Sequence, residues 1–435
     1  MDVKTMEPEM GMTAESAGPA FWPAPPLELD ELDIPQPLIT DIVLRRLRLD
    51  GAVSLGGLRR LLKLPARVVE SVCRQLQQQQ LAEIRGMAGA DYVFALTNAG
   101  RQLALDRHHV CQYAGPLPVS LFAYTTVVRE QKSRITLNRR KIAEAFSDLV
   151  LNQRFLDRLG PALLAQKSLF LFGPTGNGKT SIAERIGRVY EDAILIPYAV
   201  EVDSQIIVLF DPVIHRPLES QPENLDPRYV LCSRPSLMTG GELTLELLEL
   251  RMDPISKIYA APIQMKANNG VLVIDDFGRQ ATSPHNLLNR WILPLDRRID
   301  YLSLSYGVKF QIPFELMVVF STNIEPSTLA DEAFLRRMPN KVYVGPPTEL
   351  EFLEIFLKNA AQRELTFDPE IPRLLAGLCT TQGHRKPNAC HAADICDILL
   401  RIEEYEETPP HITAPDLTRA VELYFAEAAQ GADSP

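Results

Sequence analysis

Residues 173–180 read GPTGNGKT, a glycine-rich stretch that ends in a lysine and a hydroxyl residue. The apolar run Leu169–Phe172 precedes it and a helix-compatible segment follows it, which is the strand–loop–helix context that this pattern requires. The glycines let backbone N–H groups surround a pyrophosphate, and the start of the helix adds partial positive charge. We expect Lys179 to reach the β- and γ-phosphates of ATP and Thr180 to ligate Mg²⁺. The predicted nucleotide-binding residues are Gly173, Pro174, Thr175, Gly176, Asn177, Gly178, Lys179, Thr180 and Ser181.

A pair of acids follows a second apolar run. Residues 271–274 read VLVI, and Asp275 and Asp276 come directly after them. A fully apolar run is typical of a central strand of a parallel sheet, and ligands bind at the carboxyl ends of such strands. We expect Asp275 to hold Mg²⁺ and Asp276 to polarise an attacking water as general base. The alternative for Asp276 is a helix cap or a salt-bridge partner.

A third apolar run ends in Ser321, Thr322 and Asn323. With the two motifs above, it makes residues 145 to 426 resemble the AAA+ ATPases. The resemblance implies that Asn323 is sensor 1, which orients the attacking water. It also implies an arginine finger that acts in trans on a neighbouring subunit, with Arg337 as first choice and Arg336 as second. A surface salt bridge is the alternative for each arginine. The resemblance further implies a homo-oligomeric ring of about six subunits.

Two segments extend the resemblance and one departs from it. Residues 297–315 predict a hairpin that turns at Tyr306 and Gly307, which resembles the pre-sensor-1 insertion of the MoxR-like branch of AAA+ proteins. Residues 201–268 predict an inserted functional loop, in which a leucine-rich helix follows two glycines. The sensor-2 arginine of the family has no counterpart near residues 392–394, so that either Arg385 replaces it or sensor 2 is absent. The cysteines and histidines of this region predict buried thiols and a capping histidine rather than a zinc site.

Residues 35–107 have the pattern of three helices, a β-hairpin and a final helical turn, which resembles a winged helix-turn-helix domain. They contain eleven basic and six acidic residues, a net charge of +5. Arginine and glutamine suit phosphates and base edges, so the segment predicts binding of duplex DNA. The alternative is a solvated helix face on a domain that binds protein. The apolar residues of the third predicted helix lie on one face. The opposite face carries Arg67, Ser71, Arg74, Gln75 and Gln78.

Composition limits the remaining possibilities. The 435 residues predict two or three domains, and the formal net charge of −10 argues against a chain that coats nucleic acid by bulk charge. The six cysteines form no CxxC pair, which argues against a disulfide or zinc framework. The apolar runs are too short to span a membrane, and the acidic N-terminus does not resemble a signal peptide. We therefore expect a soluble, cytoplasmic protein.

These patterns predict an α/β fold: the parallel sheet of a P-loop NTPase with an α-helical lid, preceded by a winged helix-turn-helix domain. The predicted function is that of a Mg²⁺-dependent AAA+ ATPase that couples ATP binding and hydrolysis to remodelling of a protein or nucleoprotein target. The alternative is a DNA-binding transcriptional regulator that ATP switches and that hydrolyses slowly. The paired acids, Asn323, the two arginines and the helical lid argue against a small-molecule kinase. The predicted domains are a disordered leader (1–34), the winged helix (35–107), a linker with a helix (108–150), the nucleotide-binding domain (151–347) and the lid (348–428).

Overall fold

The computed structural model describes residues 4–5, 21–132, 137–329, 332–382, 386–407 and 411–425. The chain forms two compact units, each built from several segments. Unit 1 comprises Met1–Ile135, Tyr190–Val273 and Gln280–Val318, and unit 2 comprises Thr136–Val189, Ile274–Arg279 and Val319–Pro435. The predicted nucleotide-binding domain, residues 151–347, is therefore not one contiguous unit, because the chain leaves unit 2 after Val189 and returns to it only for Ile274–Arg279 and from Val319 onwards.

Unit 1 contains most of the strands. Its helices are Gln36–Asp50, Leu55–Leu62, Ala66–Gln78, Asn98–Val110, Leu121–Glu130, Ile263–Lys266 and Pro284–Arg297, with short 3₁₀ turns at Leu29–Leu32 and Leu245–Leu248. Its strands are Lys4–Thr5, Ala52–Ser54, Ala82–Ala88, Asp91–Leu96, Val119–Ser120, Ala193–Pro197, Ala199–Val202, Gln205–Val208, Tyr229–Ser233, Ser236–Thr239, Arg251–Met252, Tyr259–Ala260, Ile299–Ser303 and Lys309–Pro313. Two further strands, Val271–Ile274 and Met317–Thr322, are divided between the units.

The N-terminal part of unit 1 has the predicted succession of helices and hairpin. The first helix ends at Gly51, whose φ of +78° suits glycine, and Ser54 begins the second by accepting a hydrogen bond from the N–H of Gly57. A three-stranded antiparallel sheet follows the order Ala52–Ser54, Asp91–Leu96, Ala82–Ala88. The predicted inner face of the third helix is confirmed, since its buried residues are Val68, Val69, Val72, Cys73 and Leu76.

Two boundaries of this region need correction. We predicted a disordered leader over residues 1–34, but Leu29 and Leu32 are buried in the core of the N-terminal helices. The predicted separate domain 35–107 also shares that core with Ala199 and Ile206. The apolar side chains of residues 21–34 and of two later strands thus complete a core that residues 35–107 do not close alone.

The linker predicted at 108–150 is also more structured than expected. It contains the strand Val119–Ser120 and the helix Leu121–Glu130, and the predicted helix near its end is short, Arg139–Ala145. Tyr124, Val127 and Val128 are buried in a second core of unit 1, which explains why this helix is ordered.

The stretch predicted as an insertion, residues 201–268, contributes to a five-stranded sheet in unit 1. The strand order is Arg251–Met252, Tyr259–Ala260, Gln205–Val208, Ala199–Val202, Val119–Ser120. The predicted leucine-rich helix is wrong, because only the 3₁₀ turn Leu245–Leu248 forms there. The predicted hairpin is confirmed, since Ile299–Ser303 pairs antiparallel with Lys309–Pro313 and Gly307 has a φ of +92° in the turn.

Unit 2 combines a parallel sheet with helices. Leu169–Phe172 lies between Met317–Thr322 and Asn340–Tyr343 and pairs in parallel with both. Parallel pairing of these apolar strands confirms the predicted α/β class. The helices of this unit are Arg139–Ala145, Gln153–Leu164, Lys179–Arg185, Pro326–Leu329, Glu332–Leu335, Glu349–Gln362, Ile371–Gln382, Ala389–Glu406 and Ala414–Tyr424.

The last four helices form the C-terminal helical part of unit 2, which we call the lid. The lid has a core of its own, in which Phe352, Phe356 and Leu399 are fully buried. Its helices begin as the sequence predicts: Thr348 and Glu351 form a reciprocal capping box, and Thr413 caps the last helix. A two-stranded parallel ladder, Thr366–Phe367 with His411–Ile412, lies within it. Among the described residues, no helix is both long and apolar enough to cross a membrane.

Candidate active site

The loop that follows Leu169–Phe172 depends on glycine at two points. Gly173 has a φ of +144°, and a Cβ there would lie 2.2 Å from the carbonyl oxygen of Val344. Gly176 has a φ of +76°, and a Cβ there would lie 2.5 Å from the Sγ of Cys390. At both positions a larger residue is disfavoured for two reasons: the positive φ is unfavourable for it, and its Cβ would clash with a neighbouring atom.

Lys179 begins the helix after this loop, and its side chain turns back into the loop. Its Nζ donates to the carbonyl oxygens of Gly173, at 3.0 Å, and Pro174, at 2.8 Å. Only 8% of the residue is exposed. Burial lowers the pKa of Lys179 from its ordinary value, while the charges of Asp275 and Asp276 act in the opposite direction. The loop thus holds a cationic amine within a cradle of backbone groups, which is suited to a polyphosphate.

Thr180 and Asp275 lie side by side. The Thr180 hydroxyl donates to Oδ2 of Asp275 at 2.7 Å, although the two residues are 95 positions apart in the sequence. A hydroxyl oxygen and a carboxylate oxygen are ligands that Mg²⁺ prefers. This pair therefore fits the magnesium-ligating role predicted for it.

The turn after Asp275 is fixed by its neighbours in the sheet. Asp276 is exposed and has a φ of +47°, a conformation that aspartate tolerates better than most residues. The N–H of Phe277 donates to the carbonyl oxygen of Ser321 at 2.7 Å, and the Thr322 hydroxyl donates to that of Phe277 at 2.6 Å. The acidic turn is thus tied to the strand that leads to Asn323.

Asn323 follows the end of the strand Met317–Thr322. Its Oδ1 is buried and has no hydrogen-bond partner among the described residues. Burying a hydrogen-bond acceptor without a partner lowers the stability of the fold unless a ligand or a water molecule donates to it. Asn323 does not line the cavity described next.

A cavity of about 640 Å³ in unit 2 joins the predicted loop to the acids. The phosphate-loop residues Lys179 and Thr180 line it together with Asp275 and Asp276. Its other walls include residues 148–151 and the lid helices Glu349–Gln362 and Ala389–Glu406. The structure thus brings together in one cavity the lysine, the hydroxyl and both carboxylates that the sequence analysis selected.

The lid approaches the loop through the start of its third helix. The N–H of Cys390 donates to the carbonyl oxygen of Gly176 at 2.8 Å, and that of Ala389 donates to Oδ1 of Asn177 at 3.3 Å. The Asp394 side chain accepts a hydrogen bond from the Tyr424 hydroxyl at 3.0 Å. The sequence predicted buried thiols and a capping histidine in this region and no sensor-2 arginine at residues 392–394, but it did not predict these contacts.

The predicted capping histidine is present at His391, whose Nδ1 accepts a hydrogen bond from the N–H of Asn388 at 3.2 Å. Burial lowers the pKa of His391. Cys379 and Cys396 are buried, as expected, whereas Cys390 is half-buried. The candidate Arg385 lies outside the described residues.

The two candidate finger arginines lie apart from this cavity. Arg336 is exposed, whereas Arg337 is half-buried, and the Arg337 carbonyl oxygen accepts a hydrogen bond from the Ser168 hydroxyl at 3.3 Å. Neither side chain lines the cavity. Arg337 was the first choice from the sequence. Because the side chain of Arg336 is the more exposed of the two, Arg336 is also retained as a candidate for contact with a neighbouring subunit.

Residues 348–423, which include the lid helices, match a family described as a domain of unknown function, DUF8689. No curated protein matches the sequence significantly.

Solved structures resemble the chain at low identity. The Holliday junction branch migration motor RuvB of Thermotoga maritima is 14% identical, with a TM-score of 0.36 over 68% of this chain and 73% of that one. NtrX of Brucella abortus, in complex with ADP, is also 14% identical, with a TM-score of 0.38 over 68% of this chain and 59% of that one.

Proposed function

We propose that the protein is a Mg²⁺-dependent ATPase of the AAA+ class that couples ATP binding and hydrolysis to the remodelling of a protein or nucleoprotein target. One observation carries the proposal: the Thr180 hydroxyl lies 2.7 Å from the Asp275 carboxylate in a cavity that Lys179 also lines. The glycine-rich loop supplies the lysine and the hydroxyl, and the second apolar strand supplies the acid. Together they meet the needs of a bound nucleoside triphosphate.

The roles of the side chains follow from their chemistry. Lys179 leaves the loop carbonyls and binds the β- and γ-phosphates, while Thr180 and Asp275 hold Mg²⁺, which neutralises phosphate charge when bound. Asp276, exposed on its turn, accepts a proton from the attacking water. Asn323 orients that water, which is the role of sensor 1.

The decisive experiment compares ATP binding and turnover in three variants of the full chain. We expect Lys179→Ala to abolish binding or hydrolysis and Asp276→Asn to bind ATP but hydrolyse it poorly. Lys167→Ala is the matched control, because Lys167 is exposed and does not line the cavity. Wild-type turnover in the first two variants would disprove the site.

The proposal extends to assembly and to the N-terminal region. We infer a homo-oligomeric cytoplasmic ring of about six subunits, in which Arg337 or Arg336 acts on the nucleotide of a neighbouring subunit. Residues 35–107 are interpreted as a winged helix and residues 297–315 as the hairpin of the MoxR-like branch. The order of helices and strands and the antiparallel hairpin support these two interpretations.

A second candidate function is that of an ATP-switched DNA-binding regulator with slow hydrolysis. The exposure of Arg67 and Arg74 on the helix Ala66–Gln78 favours it. Turnover with and without duplex DNA separates the two functions. A remodelling ATPase turns over ATP repeatedly, whereas in a regulator of this kind ATP changes DNA affinity while turnover stays slow.

A further inference from the structure

The inference concerns Arg279, a cavity residue that the sequence analysis did not select. Arg279 lies three residues after Asp276 and lines the same cavity as Lys179, Thr180 and Asp275. The residue is exposed, and within the described part of the chain its side chain forms no ion pair or hydrogen bond. Its position next to the paired acids calls for an explanation, because no ion pair or hydrogen bond with another described residue accounts for its charge.

The backbone of Arg279 is held firmly. Its N–H donates to the carbonyl oxygen of Asp276 at 3.0 Å, which closes the turn. Phe277, at the centre of that turn, is fully buried and packs edge-on against Phe170 and Phe320, with ring centroids 6.2 and 5.0 Å away. Phe170 belongs to the strand that leads into the phosphate loop. The backbone that carries the Arg279 guanidinium is therefore fixed relative to the strand that leads into the phosphate loop.

The other cations of the cavity are already engaged. Arg185 forms a 2.8 Å ion pair with Asp148, and Lys358 donates to the carbonyl oxygen of Ser147 at 2.9 Å. Lys179 donates to the loop carbonyls, and the proposed function already assigns it to the β- and γ-phosphates. Arg279 thus remains the guanidinium of the lining that is available to a ligand, within the residues that the structure describes.

The start of the third lid helix, which lies nearest the phosphate loop, offers no substitute for it. The third lid helix contributes Ala389, Cys390, Ala393 and Asp394 to the cavity, none of which is a cation. A nucleoside triphosphate carries one more phosphate group and one more negative charge than a diphosphate, so a second donor to the terminal phosphate, beside Lys179, would favour the triphosphate. Arginine is well suited to that group because its planar fork donates two hydrogen bonds to phosphate oxygens.

We propose that Arg279 binds the terminal phosphate of the nucleotide held by its own subunit, and so makes the site discriminate triphosphate from diphosphate. This inference rests on the proposed nucleotide site. The cation that the third lid helix lacks is thus supplied by Arg279, at the end of the turn Asp276–Arg279.

The test measures nucleotide affinity in the full-length protein by calorimetry, with a non-hydrolysable ATP analogue and with ADP, each in the presence of Mg²⁺. A charge-assisted hydrogen bond to phosphate corresponds to roughly ten-fold or more in affinity. We expect Arg279→Ala to weaken the triphosphate by at least that factor and ADP by less than about two-fold, and Arg279→Lys to recover part of the loss. Arg154→Ala is the matched control, since Arg154 is an exposed arginine of unit 2 that does not line the cavity.

Several outcomes would overturn the inference. Unchanged affinities, tighter triphosphate binding or an equal loss for both nucleotides would each remove the proposed selectivity. Equal melting temperatures of the variants would show that a selective loss is not caused by misfolding. If the wild-type protein binds neither nucleotide, the proposed function fails, which is a different result from a nucleotide-binding protein that is indifferent to Arg279.

A mixing experiment tests whether Arg279 acts on its own subunit. Arg279→Ala subunits mixed with Lys179→Ala subunits should not regain hydrolysis, because each pocket keeps its own defect. Rescue in a mixture shown to co-assemble would place the action of Arg279 in a neighbouring subunit and overturn the assignment.

Discussion

Cys390 of the lid lies directly against Gly176 of the phosphate loop: its N–H donates to the Gly176 carbonyl oxygen at 2.8 Å, and a Cβ at position 176 would lie 2.5 Å from its Sγ. The lid and the loop thus meet without room for a methyl group. This contact can be tested separately from catalysis, because it exists within unit 2 and involves no ligand.

We expect Gly176→Ala to destabilise the nucleotide-free protein more than Gly178→Ala does. Both glycines have a positive φ, +76° and +82°, which costs alanine about 1–2 kcal/mol. Only position 176 adds a steric conflict, since a Cβ at 178 meets nothing within 4 Å. The measurement is the free energy of unfolding by denaturant.

The control for that prediction is a double substitution. Cys390→Ala removes the sulfur and should recover part of the loss in the Gly176→Ala background, but none in the Gly178→Ala background. Equal losses at the two glycines, or equal recovery, would contradict the steric account.

Asn323→Ala should slow hydrolysis by roughly 100-fold while leaving ATP affinity unchanged, because a single preorganised polar group at a reacting centre is worth about that much. The buried Oδ1 without a described partner motivates this prediction. Single-turnover kinetics and equilibrium binding measure the two quantities separately. A parallel fall in affinity would instead indicate that Asn323 maintains the shape of the site.

A finger arginine should be recognised by complementation between subunits. Mixing Arg337→Ala subunits, which keep Lys179, with Lys179→Ala subunits should restore some hydrolysis, and specific activity should rise with protein concentration. The same mixture prepared with Arg336→Ala decides between the two candidates, since Arg336 is the more exposed. A monomer with concentration-independent turnover would exclude a trans finger.

The full chain should bind duplex DNA, and Arg67→Ala combined with Arg74→Ala should weaken that binding. Two lost phosphate contacts reduce the slope of log affinity against log salt by about two. Arg101→Ala combined with Arg107→Ala is the control, because these exposed arginines lie on another helix of the same region. If the wild-type chain does not bind DNA at low salt, we would assign this region to protein docking.

The parts of the site that were predictable from the sequence are those defined by local pattern. Lys179, Thr180, Asp275 and Asp276 were found because each follows an apolar strand that must end at the same edge of a parallel sheet. Arg279 follows Asp276 closely enough to have been considered, but its importance depends on which other cations of the cavity have partners. Those partners become visible only when distant segments pack.

The failures in the fold have a similar origin. The leucines between residues 243 and 250 suggested a helix, yet Leu243 and Leu248 are fully buried outside any α-helix, and the strand Arg251–Met252 follows them. Leu29 and Leu32 lie in a segment whose proline and acid content suggests disorder, but a distant core buries them. The composition of a short segment does not show whether residues far away in the sequence will bury its apolar side chains.

The left-handed backbone of Asp276, with its φ of +47°, restricts which sequences can occupy this position. In a library randomised at residue 276, glycine, asparagine and aspartate should dominate the stably folded members, because β-branched side chains disfavour this conformation. Selection for ATP turnover should then retain aspartate alone. The residues recovered at position 276 would therefore show two separate requirements: a backbone conformation that folding needs and a carboxylate that hydrolysis needs.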